Sequence, residues 1–268
     1  MKTGISTASF YPRYLTEDAL DRVGELGIKG CEVFLETFSE YQPSFANLLC
    51  EKMKKYGLIA YSVHSLSSQF EPQLFSATER QRKDARDVLK KVFDTAQRIG
   101  AKTYVFHGPA NLKQTNLIYH YESLGENTAY LAELAASFGL QFSWENVHWC
   151  YFNHPEFAEN LLKHIHHKNL YFTLDIKQAM QAGIDPFLFL EAMGKHLAHV
   201  HVCDYDIDGN LAMPGKGIFD FKRLYRELKI LDYQGPLILE VYQNNYRTME
   251  DIKKSYAFLQ NIFSEKKH

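Results

Sequence analysis

The sequence has little of what several protein classes need. Only four cysteines occur in 268 residues, Cys31, Cys50, Cys150 and Cys203. None forms a Cys-x-x-Cys pair, and their spacing fits no structural zinc pattern. A chain this long can bury a sizeable core without disulfides. The stretch from Met1 to Leu15 lacks the apolar run of a signal peptide. No segment approaches the roughly 20 apolar residues of a membrane span. These absences lead to the expectation of a reducing, cytoplasmic protein with no membrane partner; leaderless secretion is the alternative. Charge of one sign is also missing: 30 Lys and Arg face 32 Asp and Glu, for a net charge of −2. Binding to a nucleic-acid backbone needs concentrated positive charge, so no nucleic-acid partner is expected. The short basic run from Lys163 to Lys168 reads as a solvated helix end. Glycine-rich phosphate loops of the GxGxxG or GxxxxGK[ST] type follow no apolar run, which weakens the case for a doubly wound sheet. No linker, low-complexity segment or composition break divides the chain, so residues 1–268 read as one domain.

What is present is a repeated junction. Leu26-Gly27-Ile28, Tyr56-Gly57-Leu58, Ile99-Gly100-Ala101 and Phe138-Gly139-Leu140 each follow a stretch of helical periodicity and precede a short apolar run. Glycine just past a helix end supplies the left-handed backbone that closes the last turn. In the third helix Ala85, Val88, Leu89, Val92, Phe93, Ala96 and Ile99 form one apolar stripe. Thr16 or Glu17 and Pro43-Ser44 are helix start signals. Eight short apolar segments are expected as strands: 4–9, 31–35, 59–63, 103–106, 141–144, 170–174, 197–200 and 237–241. Near-continuous apolar strands alternating with helices imply a buried parallel sheet. Eight such units in one chain favour a closed (β/α)8 TIM barrel, a fold that commonly reaches this length. The long loops 65–76 and 204–219 would then lie on the face where substrate contacts gather.

The ends of these apolar strands are polar. Strand two carries Glu32 and reaches Glu36. Strands three to eight end at His64, His107, Glu145, Asp175, His201 and Glu240. In a closed barrel these ends form a ring around one axis. Burying that many ionisable groups is costly unless they pair or bind a metal. Mixed Asp, Glu and His ligation suits Mn²⁺, Co²⁺, Zn²⁺ or Fe²⁺.

The chain resembles the xylose isomerase-like TIM-barrel superfamily, which contains sugar isomerases and epimerases, inosose and 3-dehydroshikimate dehydratases, and the endonuclease IV family. The resemblance covers essentially the whole chain. It rests on the order and spacing of Ser62-Val63-His64-Ser65, Val105-Phe106-His107-Gly108-Pro109, Trp144-Glu145-Asn146, Thr173-Leu174-Asp175, His199-Val200-His201-Val202-Cys203-Asp204, Pro214-Gly215-Lys216-Gly217 and 235–241. It implies that Glu145, Asp175, His201 and Glu240 bind one divalent ion, with Mg²⁺ added to the metals above. His201 is preferred over His199 because the family's ligand lies three residues before an acidic residue, here Asp204. His199 should share its face and lie deeper. Gln178 stands where many members have His, and 210–214 lack the Asp-x-His pair of the endonuclease branch. That excludes a complete trinuclear site and argues against abasic-site cleavage. Tyr151 stands where ketose 3-epimerases carry a second Glu.

The resemblance therefore implies a metal-dependent isomerase or epimerase moving a proton on a small sugar, keto-sugar or polyol. Glu145 and Glu240 would be the acid/base pair. His64, His107, Lys177, Gln178 and His148 would contact substrate. The first alternative is a dehydratase on a cyclic keto-polyol, with Lys177 or His148 as the acid. The second is a non-catalytic metal- and sugar-binding barrel. Aromatic residues make up 14%. Phe10, Tyr11, Tyr14, Phe34, Phe70, Trp149, Tyr151, Phe152 and Tyr242 fall near the expected mouth, where they could stack on sugar or cover a homo-oligomer interface.

Overall fold

Eight parallel strands close on one another: β1 (Lys2–Ser6), β2 (Gly30–Leu35), β3 (Ile59–Ser65), β4 (Thr103–Phe106), β5 (Gln141–Glu145), β6 (Leu170–Asp175), β7 (Leu197–Val202) and β8 (Pro236–Leu239). Each pairs with its sequence neighbours, and β8 closes the ring on β1 through Lys2 opposite Pro236 and Ile5 opposite Leu239. The computed structural model describes residues 1–110, 120–165 and 167–264. His166, within the basic run, lies outside the described residues. The expected (β/α)8 barrel is the observed fold.

The repeated junction closes as the glycines require. Gly27, Gly57, Gly100 and Gly139 all have positive φ. The residue after each donates its N–H to a carbonyl five positions back: Ile28 to Val23, Leu58 to Met53, Ala101 to Ala96 and Leu140 to Ala135. This is a Schellman-type end, which satisfies carbonyls that the helix leaves free. Two more junctions share the bond, Ile184 to Ala179 after Gly183 and Tyr233 to Leu228 after Asp232. In the last, aspartate with φ of 50° replaces glycine, which hides it from a search for glycine.

Strand 1 is shorter than the expected 4–9. Ser6 accepts the Ala8 N–H on its hydroxyl and starts a 3-10 turn, Thr7–Phe10, so the chain leaves the barrel there. The loop after β3 is also ordered into two such turns, Ser67–Gln69 and Glu71–Phe75. The loop after β7 carries a small hairpin, Asp204–Tyr205 against Leu211–Ala212. Asp204 organises it by accepting the N–H groups of Gly215, Gly217 and Phe219. The 214–217 motif is thus held by a buried carboxylate one strand-end away.

Side chains alternate across each strand. Val33 and Leu35 of β2, Phe142 and Trp144 of β5, Phe172 and Leu174 of β6, and Leu237 and Leu239 of β8 join one apolar cluster with the helices. The intervening residues fill the lumen, and many are polar: Glu32, Ser62, His64, Ser143, Glu145, Thr173, Asp175, His199 and His201, all buried.

Candidate metal centre

The site grows out of that alternation. Pairing places Asp175 opposite His201 and Glu145 opposite Thr173, so consecutive strands deliver ligand-type side chains at nearly one level. Glu240 follows the last residue of β8, and its N–H donates to Val202 of β7. Three carboxylate oxygens converge on one imidazole nitrogen. His201 Nδ1 lies 3.2 Å from Glu145 Oε1, 3.3 Å from Glu240 Oε2 and 3.6 Å from Asp175 Oδ2. One nitrogen carries at most one hydrogen and can serve at most one of the three well. Asp175 Oδ2 and Glu240 Oε2 are buried without a hydrogen bond of acceptable geometry.

A divalent cation fits this donor set. Glu145, Asp175 and His201 offer ligand atoms that all lie within 4.8 Å of one another, while Glu240 approaches this trio through His201 Nδ1 and also groups with Glu32 and His64. Three oxygens and one nitrogen match the mixed set expected from the strand ends, and no cysteine is needed.

The two glutamates are held alike. Each turns one oxygen toward His201 and the other toward a basic group. Glu145 Oε2 lies 2.9 Å from His107 Nε2, and Glu240 Oε1 accepts from Lys177 Nζ at 2.7 Å. Lys177 is only 2% exposed. Its Nζ is also 3.5 Å from Asp175 Oδ2 and lies over the Tyr242 ring at 4.8 Å. It belongs to the site and not to the outer surface, because the helix Ile176–Gln181 starts directly on Asp175, whose carboxylate caps it through the Gln178 N–H. Asn146 locks the other side of Asp175, donating to its carbonyl and accepting its N–H.

Burial works against charge throughout, and neighbours decide the outcome. Against burial, Glu240, Glu32 and Glu145 raise His201 well above the ordinary imidazole value. Against burial, Glu145 raises His107 to about 9, helped by Glu71 and Glu240. Burial wins at His64 and His199, both lowered, and at Asp175, which is raised despite Lys177. Glu145 and Glu32 are held well below the usual carboxylate range by the histidines around them, despite burial.

Gln178 and His148 sit together beside this cluster. Gln178 Oε1 accepts the His148 backbone N–H at 3.2 Å and lies 2.6 Å from His148 Nδ1. The backbone donor identifies the amide oxygen, so His148 Nδ1 is protonated and Nε2 carries the lone pair of the neutral ring. His64 is buried, with Nε2 3.6 Å from Glu32 Oε1 and its ring against Phe34. The aromatic residues divide: Phe10, Phe70 and Phe152 are core, while Tyr11 and Tyr242 are exposed at the surface.

Two residues are more central than the sequence indicated. Glu32, which the sequence marks only as a polar residue on strand two, lies among His64, His199 and His201. Glu71 was missed. It is fully buried, reaches from the loop after β3, and accepts the N–H groups of His107 and Gly108 and the Tyr104 hydroxyl. Gly108 has φ of 82°, and a Cβ there would come within 2.2 Å of the Trp144 ring. The turn that aims His107 therefore depends on glycine and on Glu71. Its one sequence cue, a lone Glu before Pro72, carries no strand-end signal.

Comparison with known proteins places the chain. The model of the xylose isomerase-like TIM barrel matches residues 20–262. The chain belongs to that family. An uncharacterized protein of Methanocaldococcus jannaschii is 28% identical over 276 residues, covering 97% of this chain and 91% of that protein. Another from the same organism is 30% identical over 247 residues, covering 85% and 88%. Among solved structures of the fold, a D-tagatose 3-epimerase-like protein superposes with a TM-score of 0.78 at 24% identity, covering 98% of this chain and 97% of that one. The D-psicose 3-epimerase of Clostridium cellulolyticum H10 superposes with a TM-score of 0.80 at 17% identity, covering 98% and 99%. The 3-keto-D-glucoside 4-epimerase of E. coli gives 0.75 at 17%, covering 97% and 99%. Among the described residues no helix is long and apolar enough to cross a membrane.

Proposed function

We propose that this family member is a metal-dependent isomerase or epimerase of a small sugar, keto-sugar or polyol. The convergence of Glu145, Asp175 and Glu240 oxygens on His201 Nδ1 carries the reading. The epimerases among its structural neighbours act on substrates of this kind by their names, which supports the substrate class. A bound divalent cation supplies Lewis-acid stabilisation of negative charge on adjacent carbonyl and hydroxyl oxygens.

The chain's own residues do the rest. Glu145 and Glu240 each keep one oxygen outside the ligand set. Those oxygens exchange the proton of the carbon next to the carbonyl, one accepting it and the other returning it. Lys177 keeps Glu240 ionised and oriented, and His107 does the same for Glu145. His64, Gln178 and His148 line the approach and orient hydroxyls, with His148 Nε2 as an acceptor. Buried walls exclude water, which strengthens each of these interactions.

The test is hydrogen exchange. Protein loaded with Mn²⁺, Co²⁺, Zn²⁺, Mg²⁺ or Fe²⁺ is incubated with a panel of ketoses in D₂O. Metal-dependent deuterium incorporation next to the carbonyl is expected, and its absence across the panel with fully loaded protein contradicts the reading. A second reading follows from Lys177. An ammonium 2.7 Å from the base is placed to protonate a departing β-hydroxyl, as a dehydratase requires. Keto-inositols and 3-dehydroshikimate separate the two: a new conjugated-enone absorbance favours loss of water.

A further inference from the structure

We infer that Glu32 is a positioning residue that selects the nitrogen with which His201 meets the cation. The inference rests on the proposed metal centre but concerns a residue outside the ligand set.

β2 and β7 are not neighbours in the barrel; β1 and β8 lie between them. Glu32 therefore reaches His201 across the lumen. Both its oxygens lie 3.0 Å from His201 Nε2, on the far side of the ring from the three carboxylates at Nδ1. A carboxylate only accepts, so the facing Nε2 keeps its hydrogen. In the neutral ring the lone pair is then on Nδ1, the nitrogen among Glu145, Asp175 and Glu240. Glu32 is fixed in turn. The Ser62 hydroxyl donates to Oε2 at 2.7 Å, and His199 Nε2 lies 3.0 Å from the same oxygen. Strand pairing places Ser62 directly opposite Glu32. This accounts for the deeper histidine of the His-x-His pair: His199 holds the carboxylate that holds His201.

A carboxylate behind a metal-bound imidazole fixes the ring's tautomer and orientation and raises its basicity. Losing such a partner typically weakens metal binding by about 10–100-fold. Glu32 also stands in two other groups that could hold a cation, with His199 and His201 and with His64 and Glu240, and its Oε1 has no hydrogen bond of acceptable geometry. In the inferred arrangement both its oxygens face His201 Nε2, the nitrogen turned away from Glu145 and Asp175.

Co²⁺ titration of full-length protein, followed by its visible spectrum, tests this. Glu32→Gln keeps the shape and removes the charge. The expected result is an affinity about 10–100-fold weaker with an unchanged band pattern at saturation. Ser62→Ala should weaken binding by a smaller factor and stands in for Glu32→Gln if that variant does not fold. Unchanged affinity in both variants overturns the role of Glu32 and leaves the metal centre standing. An altered band pattern at saturation makes Glu32 a ligand and likewise overturns it. Failure of the wild type to bind Co²⁺ removes the metal centre and this inference together.

Discussion

Along one strand after another, alternate residues face opposite worlds. On β5, Phe142 and Trp144 face the helices, while Ser143 and Glu145 face the lumen. On β7, Val200 and Val202 join the apolar cluster, while His199 and His201 meet Glu32. Both faces are buried, so burial does not separate them. The outer face gains from leaving water, at about 25 cal/mol per Å² of apolar surface. The inner face loses by it, because ionisable groups surrender their hydration. The same backbone thus stabilises the fold on one side and assembles a costly donor set on the other. A cation held among these groups, as proposed, would offset that cost.

Substitutions on the two faces should fail in different ways. Glu240→Gln should lower kcat on the responding sugar by about 10²–10⁴-fold, as steady-state kinetics would read, with a smaller loss of thermal stability in calorimetry from the buried Lys177 that keeps only Asp175 as partner. Phe142→Ala does the reverse. It should cost about 3–5 kcal/mol of stability in urea unfolding while folded protein still binds Co²⁺ with near-wild-type affinity. Equal loss of stability in both variants would erase the distinction between the faces.

The pH dependence sharpens it. His201 is raised well above its ordinary value in metal-free protein, so loading must release a proton. Cation affinity should rise up to about tenfold per pH unit until that value is passed, as titrations at several pH values would record. For stability without metal, the raised His201 contributes fully below about pH 6.5, and the contribution is lost as pH rises through its folded value. The lowered Glu32 and Glu145 contribute above about pH 4.3 and lose it as pH falls. Metal-free protein should therefore lose melting temperature on going alkaline, and added cation should restore it. The smallest effect belongs to neither face: Asp232→Gly at the left-handed helix end should stabilise by under about 1 kcal/mol in the same urea experiment.

The fold was legible because its signals are local. Gly27, Gly57, Gly100 and Gly139 mark helix ends through backbone chirality, which needs no knowledge of distant residues. The ring of strand-end residues was legible because a barrel turns sequence position into height along one axis. Glu145, Asp175 and Glu240 each turn an oxygen toward His201 Nδ1. The partners of these residues were harder to read. Glu32 acts across the lumen from a non-adjacent strand, Glu71 acts from a loop, and Lys177, just past the Asp175 cap, is buried against Glu240. Such contacts depend on which strands face each other across the barrel, and the period-two pattern carries no record of that.

Anomalous diffraction from Co²⁺-soaked crystals tests the centre most directly. The account predicts one strong peak about 2.0–2.2 Å from His201 Nδ1 and from oxygens of Glu145, Asp175 and Glu240, lost in His201→Ala. A peak elsewhere in the barrel, or none at saturating Co²⁺, would contradict it.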